Sequence, residues 1–269
     1  MERITPTIDF ATELTNLFDM RDKVVFMPGG YGGIGEAIAW ALALAGARVT
    51  VAGRDTGKAE GLALALTKHG LATDGIPLDV ESVSSIREAV DSVAERHGRI
   101  DVLVNCVGIQ REEPLLKVSE EAYDEVYRVN LKGAMFLAQA AAKHQTAAGG
   151  GRQVHLLSVR AQLGLRDRGY SAYCSTKGAL VMLIKQHAME LARDGITVNG
   201  VAPTFVYTEM IRHVIENPEF RNQLLERIPL GRIADPKDVV GPVMFFCSDA
   251  SAFVTGQIMY VDGGITASQ

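Results

Sequence analysis

The sequence predicts an α/β fold: a single doubly wound domain on a seven-stranded parallel sheet with helices on both faces. Three observations lead there. Short apolar and β-branched segments at 23–27, 48–52, 73–78, 100–105, 152–158, 196–202 and 257–261 alternate with helix-period patterns in nearly every interval, as a parallel sheet with crossover helices requires. The first segment, Lys23 to Met27, runs into a glycine-rich loop, Pro28 to Gly35, and then into an Ala- and Leu-rich helical pattern from Glu36 to Ala45 that stops at Gly46. The length of 269 residues and the apolar content of 47% suit one large unit with two helical layers.

The elements follow in order. Strand, glycine loop and helix form a dinucleotide-binding turn, in which missing side chains let backbone amides approach a pyrophosphate at a helix N-terminus. The second strand ends in Ala52-Gly53-Arg54-Asp55, and Ala147 to Gly151 reads as a flexible connection. The stretch 205–248 is helix-rich without a strand signal and is interrupted by Pro218, Pro229 and Pro236; its first part, 206–228, is expected to be a substrate lid. Residues 1–16 are expected to form an N-terminal arm, and 17–269 one catalytic domain without internal repeats.

Composition narrows the function. The net charge of −5 has no basic concentration behind it, which argues against nucleic acid or an anionic membrane as partner. No apolar run reaches the roughly 18 residues a spanning helix needs, and Glu2, Thr5, Pro6 and Asp9 stand where a signal peptide would be basic and then apolar. Cys106, Cys174 and Cys247 are odd in number and lack metal-like spacing, as expected in a reducing, cytoplasmic compartment. The six histidines include no pair with ligand spacing, so no metal is expected, and His155 reads as a packed or hydrogen-bonded strand residue.

The chemistry is expected at Tyr173 and Lys177, four apart at the start of a helical pattern, with Ser158 fifteen residues upstream after a strand. A phenol is a poor acid at neutral pH; a lysine ammonium one helical turn away is expected to stabilise its phenolate and lower its pKa. A serine hydroxyl aimed at the same point would hold a carbonyl or alcohol oxygen.

With these motifs the chain resembles the short-chain dehydrogenase/reductase family from about Leu17 to the C-terminus. Gly29, Gly33, Ile34 and Gly35, then Asn105-Cys106-Val107-Gly108, Asn130, Ser158, Tyr173, Lys177 and Pro203-Thr204 stand in the family's order. The resemblance implies a Rossmann-type fold and hydride transfer between a nicotinamide cofactor and a carbonyl or secondary alcohol. Tyr173 would exchange the proton, Lys177 would tune it and bind the nicotinamide ribose, Ser158 would position the oxygen, and Asn130 would hold a water linking Lys177 to solvent. Cofactor contacts are implied for Gly29, Tyr31, Gly33, Ile34 and Gly35, for Arg54, Asp79 and Val80, and for Asn105, Gly108, Pro203, Val206 and Thr208. The chain departs from the family pattern at Pro28, Cys106, Val107 and Thr204, and its Ser-to-Tyr spacing is two residues longer than usual.

NADP(H) is favoured over NAD(H), because the acid that would bind the adenosine ribose is missing at Gly53 while Arg54 offers a phosphate-binding fork. Asp55 argues the other way, since a shift in the turn would put its carboxylate on the ribose. Arg160, two residues after Ser158, is left to face the substrate or to form an internal salt bridge. Together with Gln110, Arg111, Tyr170, Phe205 and Tyr207 it suggests a polar or anionic small molecule, a sugar acid or polyol. The chain looks similar to gluconate 5-dehydrogenase-like members. A 3-oxoacyl thioester reductase is the alternative, although for a basic docking patch the Ala- and Gly-rich segment around 138–151 provides only Lys143, His144 and Arg152. A non-catalytic dinucleotide sensor is the reading from another class. The resemblance further implies a homotetramer through the Tyr173 helix, with Ala179, Leu180, Leu183, Ile184 and Met189, and through the strand region Gly256 to Val261.

Overall fold

The computed structural model describes residues 14–267; most of the expected N-terminal arm lies outside the described residues. Seven parallel strands, β1 (Val24–Pro28), β2 (Arg48–Gly53), β3 (Thr73–Pro77), β4 (Val102–Asn105), β5 (Gly151–Leu156), β6 (Ile196–Pro203) and β7 (Ile258–Val261), lie in the order β3-β2-β1-β4-β5-β6-β7. Each central strand is buried on both faces because alternate residues serve opposite helical layers. Val25 and Met27 pack toward α1 (Gly33–Leu44) and α2 (Thr56–Thr67), whereas Val24 and Phe26 pack toward α3 (Val83–His97). Past α4 (Glu120–Tyr127), the second layer continues with α5 (Gly133–Ala147) and α6 (Ser171–Leu191). Leu180 and Ile184 of α6 belong to this core, which corrects their expected place at an interface.

Of the boundaries that differ from the sequence reading by a residue or more, two have clear local causes. β4 starts at Val102 rather than at residue 100, because the Asp101 carboxylate accepts the Val24 backbone N–H at 2.8 Å in place of a ladder partner. The first helix starts at Gly33, three residues early, so Gly33-Ile34-Gly35 forms its first turn and its N-terminal amides face the carboxyl ends of the strands. Capping elsewhere follows the sequence: Asp55 accepts from Lys58 N–H at the start of α2, Ser82 caps α3, and Gly98 ends α3 in the left-handed region at φ 79°.

The segment after β6 forms α7 (Arg212–Ile215) and α8 (Pro218–Glu226), and the chain then returns to the first layer through α9 (Pro236–Cys247). A satellite core of Leu224, Ile228 and Ile265, with Phe205 and Phe220 packed against it, supports α8. Among the described residues no helix is long and apolar enough to cross a membrane. The strand order reverses between β1 and β4, and at such a switch point the connecting loops diverge to opposite faces and leave a crevice beyond the strand ends.

Packing of α2 on the sheet tolerates no side chain at Gly75, where a Cβ would come within 2.5 Å of the Ala59 and Glu60 backbone. Gly75→Ala is expected to destabilise the fold by about 1–3 kcal/mol, read as a lower urea midpoint at unchanged slope.

Candidate active site

A cleft of about 310 Å³ opens at the switch point, walled by the loops after β1, β4, β5 and β6. Its floor depends on close backbone approach. Gly29 sits at φ 73°, and a Cβ there would lie 2.9 Å from the Cys106 carbonyl carbon and the Val107 nitrogen. Gly35 is equally constrained, since its Cβ would meet the Gly29 carbonyl oxygen at 2.8 Å. These contacts bring the α1 N-terminus to the cleft with Gly29, Gly33, Ile34 and Gly35 on its wall, a cradle that fits a pyrophosphate.

Tyr173 lies in the first turn of α6, and Lys177 follows one turn later on the same side. Lys177 is 3% exposed; its Nζ donates to the Leu156 carbonyl at 2.8 Å and lies 5.6 Å from the Tyr173 ring centroid. Ser158 stands two residues beyond β5 in extended backbone and begins a 3-10 turn, its Oγ accepting from the Arg160 N–H at 3.2 Å. Gly108 completes the group. A Cβ there would approach Lys177 Nζ to 3.3 Å and Asn130 Oδ1 to 3.8 Å, so the glycine keeps the lysine open to a ligand.

Asn130 falls in a π-helical turn, Arg128–Lys132, between α4 and α5. The extra residue in that turn lets a helical side chain enter the interior. Its Oδ1 accepts from Ile109 N–H at 2.8 Å, and its Nδ2 donates to the Ile109 carbonyl at 2.9 Å and to Thr176 Oγ1 at 3.3 Å. Asn130 therefore clamps the loop after β4 against α6 rather than lining the cleft.

Burial dominates the electrostatics. It pushes the Tyr173 phenol up to about 12, with the Ser158 hydroxyl and the Arg160 charge acting downward. Lys177 is pushed down to about 8 by the same loss of solvent. Desolvation is the largest influence on the phenol, and the Arg160 charge acts on it downward. Burial likewise pushes the Cys106 thiol up to about 12 and raises Cys174. His155, next to the site, is fully buried, pairs through Nδ1 with Asn105 Nδ2 at 3.3 Å, and is held neutral, its pKa down to about 3.

Of the expected site residues, the cleft wall also includes Gln110, Arg160, Tyr170, Pro203, Phe205, Val206 and Thr208. Others stand back from it. Asn105 braces the turn by accepting from Val107 N–H, exposed Asp79 accepts from Glu81 N–H, and buried Val80 packs where a Gly133 Cβ would point. Arg111 is ion-paired with Glu125 at 2.7 Å and Tyr207 is exposed, so neither faces the cleft as expected. Tyr31 covers the end of β2, where a Cβ on Gly53 would meet its ring at 2.3 Å. Sequence reasoning gave no ligand role to Thr204, whose buried Oγ1 has no partner among the described residues and which lines the cleft directly after Pro203. Among the described residues no cluster of potential metal ligands is present.

Comparison with known proteins agrees with this geometry. The family profile described as "Enoyl-(Acyl carrier protein) reductase" matches residues 30–266. The gluconate 5-dehydrogenase of Gluconobacter oxydans is 34% identical over 94% of this chain and 98% of its own length. The 3-oxoacyl-[acyl-carrier-protein] reductase of Aquifex aeolicus is 34% identical over 91% and 98%. A gluconate 5-dehydrogenase from Burkholderia cenocepacia, solved in complex with NADP and tartrate, is 36% identical, superposes with a TM-score of 0.91 and covers 95% of this chain and all of its own. The chain belongs to the short-chain dehydrogenase/reductase family of oxidoreductases.

Two outcomes are expected from the site. Tyr173→Phe removes the proton donor and should lower kcat by about 10²–10⁴-fold while the dissociation constant for the nicotinamide cofactor stays near the wild-type value. Between about pH 8 and 10.5 the unfolded chain holds a proton on Lys177 that the folded protein has released, so stability rises with pH across that window. Denaturant titrations of wild type and Lys177→Met over that range should show wild type gaining relative to the variant; a constant difference would refute the lowered lysine pKa.

Proposed function

We propose that the protein is an NADP(H)-dependent oxidoreductase acting on a secondary alcohol or ketone of a small hydroxylated substrate, of the sugar-acid or polyol class. The observation that carries this reading is the convergence of Tyr173, Ser158 and Lys177 on one cleft with the α1 N-terminus. Bound nicotinamide supplies or accepts the hydride. The chain's own residues orient and protonate: Ser158 holds the substrate oxygen, Tyr173 gives it a proton in reduction and removes one in oxidation, and Lys177 orients the nicotinamide ribose. A phenol with a high pKa in this site favours the protonated form that a reductase needs at neutral pH. Asn130, through Ile109 and Thr176, is a positioning residue.

Four observations support NADP(H). Gly53 has no acid, and Tyr31 fills the space that one would need. Asp55 is committed to capping α2, which withdraws the argument for NAD(H) that rested on its carboxylate. Arg54 is exposed and only loosely paired with Glu81, at 3.5 Å, so its guanidinium is available to a 2′-phosphate. The related Burkholderia enzyme was solved with NADP.

The substrate class rests on the names of the relatives and on a cleft with polar groups awaiting partners. The 3-oxoacyl alternative loses support because His144 is paired with Asp91 and Arg152 with Asp249, which leaves only Lys143, itself loosely paired with Asp91 at 3.9 Å. A pure sensor would have no need of the buried proton-transfer group. In this reading residues 206–228 are the lid, hinged after β6, with Val206, Thr208 and Ile211 on the cleft wall. We further infer a homotetramer: Met182 and Met189 of α6 are 62% and 66% exposed, a second groove runs between Tyr127, Met135, Phe136 and Leu183, and β7 ends the sheet. Three free cysteines suit a reducing cytoplasm.

Initial rates followed by nicotinamide absorbance test this reading, with NADPH and NADH against keto-gluconates, other keto-sugars and an acetoacetyl thioester. Keto-sugar reduction with NADPH is expected to be fastest, and Arg54→Ala should raise the KM for NADPH about 10-fold or more with little effect on NADH. Preference for the thioester would overturn the substrate class.

A further inference from the structure

We propose that Arg160 forms a carboxylate-binding subsite on the inner wall of the cleft, so that the substrate is the anion of a short hydroxy or keto acid and not a neutral polyol. This narrows the sugar-acid or polyol reading and rests on it.

Arg160 is 5% exposed and has no carboxylate partner among the described residues. That separates it from the half-buried Arg168 and Arg152, each held by an acid, Glu112 and Asp249. The internal salt bridge that the sequence left open is absent among the described residues. Its Nη1 donates to two backbone carbonyls, Leu163 at 3.2 Å and Gly164 at 2.7 Å, which fixes the plane of the guanidinium. The remaining edge, Nε and Nη2, has no partner among the described residues, and Arg160 is one of the residues that line the cleft. That edge presents two parallel N–H groups, the geometry that receives a carboxylate bidentately.

The surroundings favour an anion. The charged and titratable groups acting on Arg160 are Arg227, at the C-terminal end of the lid helix, and the neutral Tyr170, Tyr173 and Cys174. Arg227 adds like charge, so the neighbourhood increases the demand for a counter-ion instead of meeting it. An arginine does not escape by deprotonation, and a buried ion without a partner is unfavourable until one arrives. A ligand carboxylate meets that demand; a hydroxyl does not. Two further groups suit the rest of a hydroxylated acid: both polar atoms of the Gln110 carboxamide and the Thr204 hydroxyl are buried, without a partner among the described residues, and belong to residues lining the same cleft. Arg160 is tied to the reaction centre through its backbone, whose N–H donates to Ser158 Oγ, and both residues line the same cleft.

The test compares kcat/KM for a sugar acid and for the neutral alditol of the same length, with NADP⁺, in wild type, Arg160→Met and Arg160→Lys. Tartrate is titrated calorimetrically into each NADP⁺-loaded protein, and melting curves establish that the variants fold. Wild type is expected to prefer the acid, and the acid-to-alditol ratio to fall about 10- to 100-fold in Arg160→Met with partial recovery in Arg160→Lys. Tartrate affinity should fall by a similar factor. Equal use of acid and alditol by wild type, or an unchanged ratio in folded Arg160→Met, would overturn the subsite. If wild type turns over neither substrate, the sugar-acid or polyol reading fails, and the titration alone decides the subsite: weaker tartrate binding in Arg160→Met supports it and unchanged binding overturns it. Should Arg160→Met not fold, Arg160→Lys carries the same comparison, since an ammonium keeps the charge and loses the bidentate edge.

Discussion

The contact between the ends of β1 and β4 is the constraint on which the rest of the site depends. Gly29 touches the Cys106–Val107 backbone so closely that no side chain fits between them. That approach brings the start of α1 beside the loop carrying Gly108, and Gly108 in turn lies against Lys177 and Asn130. The α1 N-terminus and the Tyr173–Lys177 pair, which are far apart in sequence, are thus referenced to one backbone junction. A parallel sheet with a reversal in strand order creates the crevice, and the absence of Cβ atoms makes it deep enough to be used.

Around that junction the protein buries groups that ordinary packing would reject. Lys177 and Arg160 are withdrawn from solvent and Tyr173 is half-buried, and among the described residues none is paired with a carboxylate. Desolvation drives the tyrosine and lysine pKa values toward their neutral forms, whereas arginine keeps its charge. The stability lost at such a site is offset by the two-sided core of the sheet, where Val25, Phe26, Met27 and their neighbours are fully buried. Departures from local packing rules of this kind are expected at functional sites.

Much of this was legible in the chain. Alternating strands and helices, the glycine loop and the Tyr173–Lys177 spacing all rest on local periodicity, which a sequence displays directly. Other features were not legible. The π-helical turn at Asn130 has no compositional signature, and the role of its side chain as a clamp on Ile109 depends on where the loop after β4 lies. The inward-facing positions of Leu180 and Ile184 could not be separated from the exposed Met182 and Met189 without knowing how α6 is rotated on the sheet.

The sequence by itself determined the class of fold, the order of its elements and which residues are the candidates for proton transfer, because each follows from residue type at short spacing. Only the tertiary structure decided which charges are satisfied. Arg111 and Arg160 read alike along the chain, yet one meets Glu125 and the other, among the described residues, meets only backbone carbonyls. Asp55, ambiguous as a ribose ligand, proved to be a helix cap. Partners of this kind are set by distances across the fold, and burial then fixes the sign and size of each electrostatic effect.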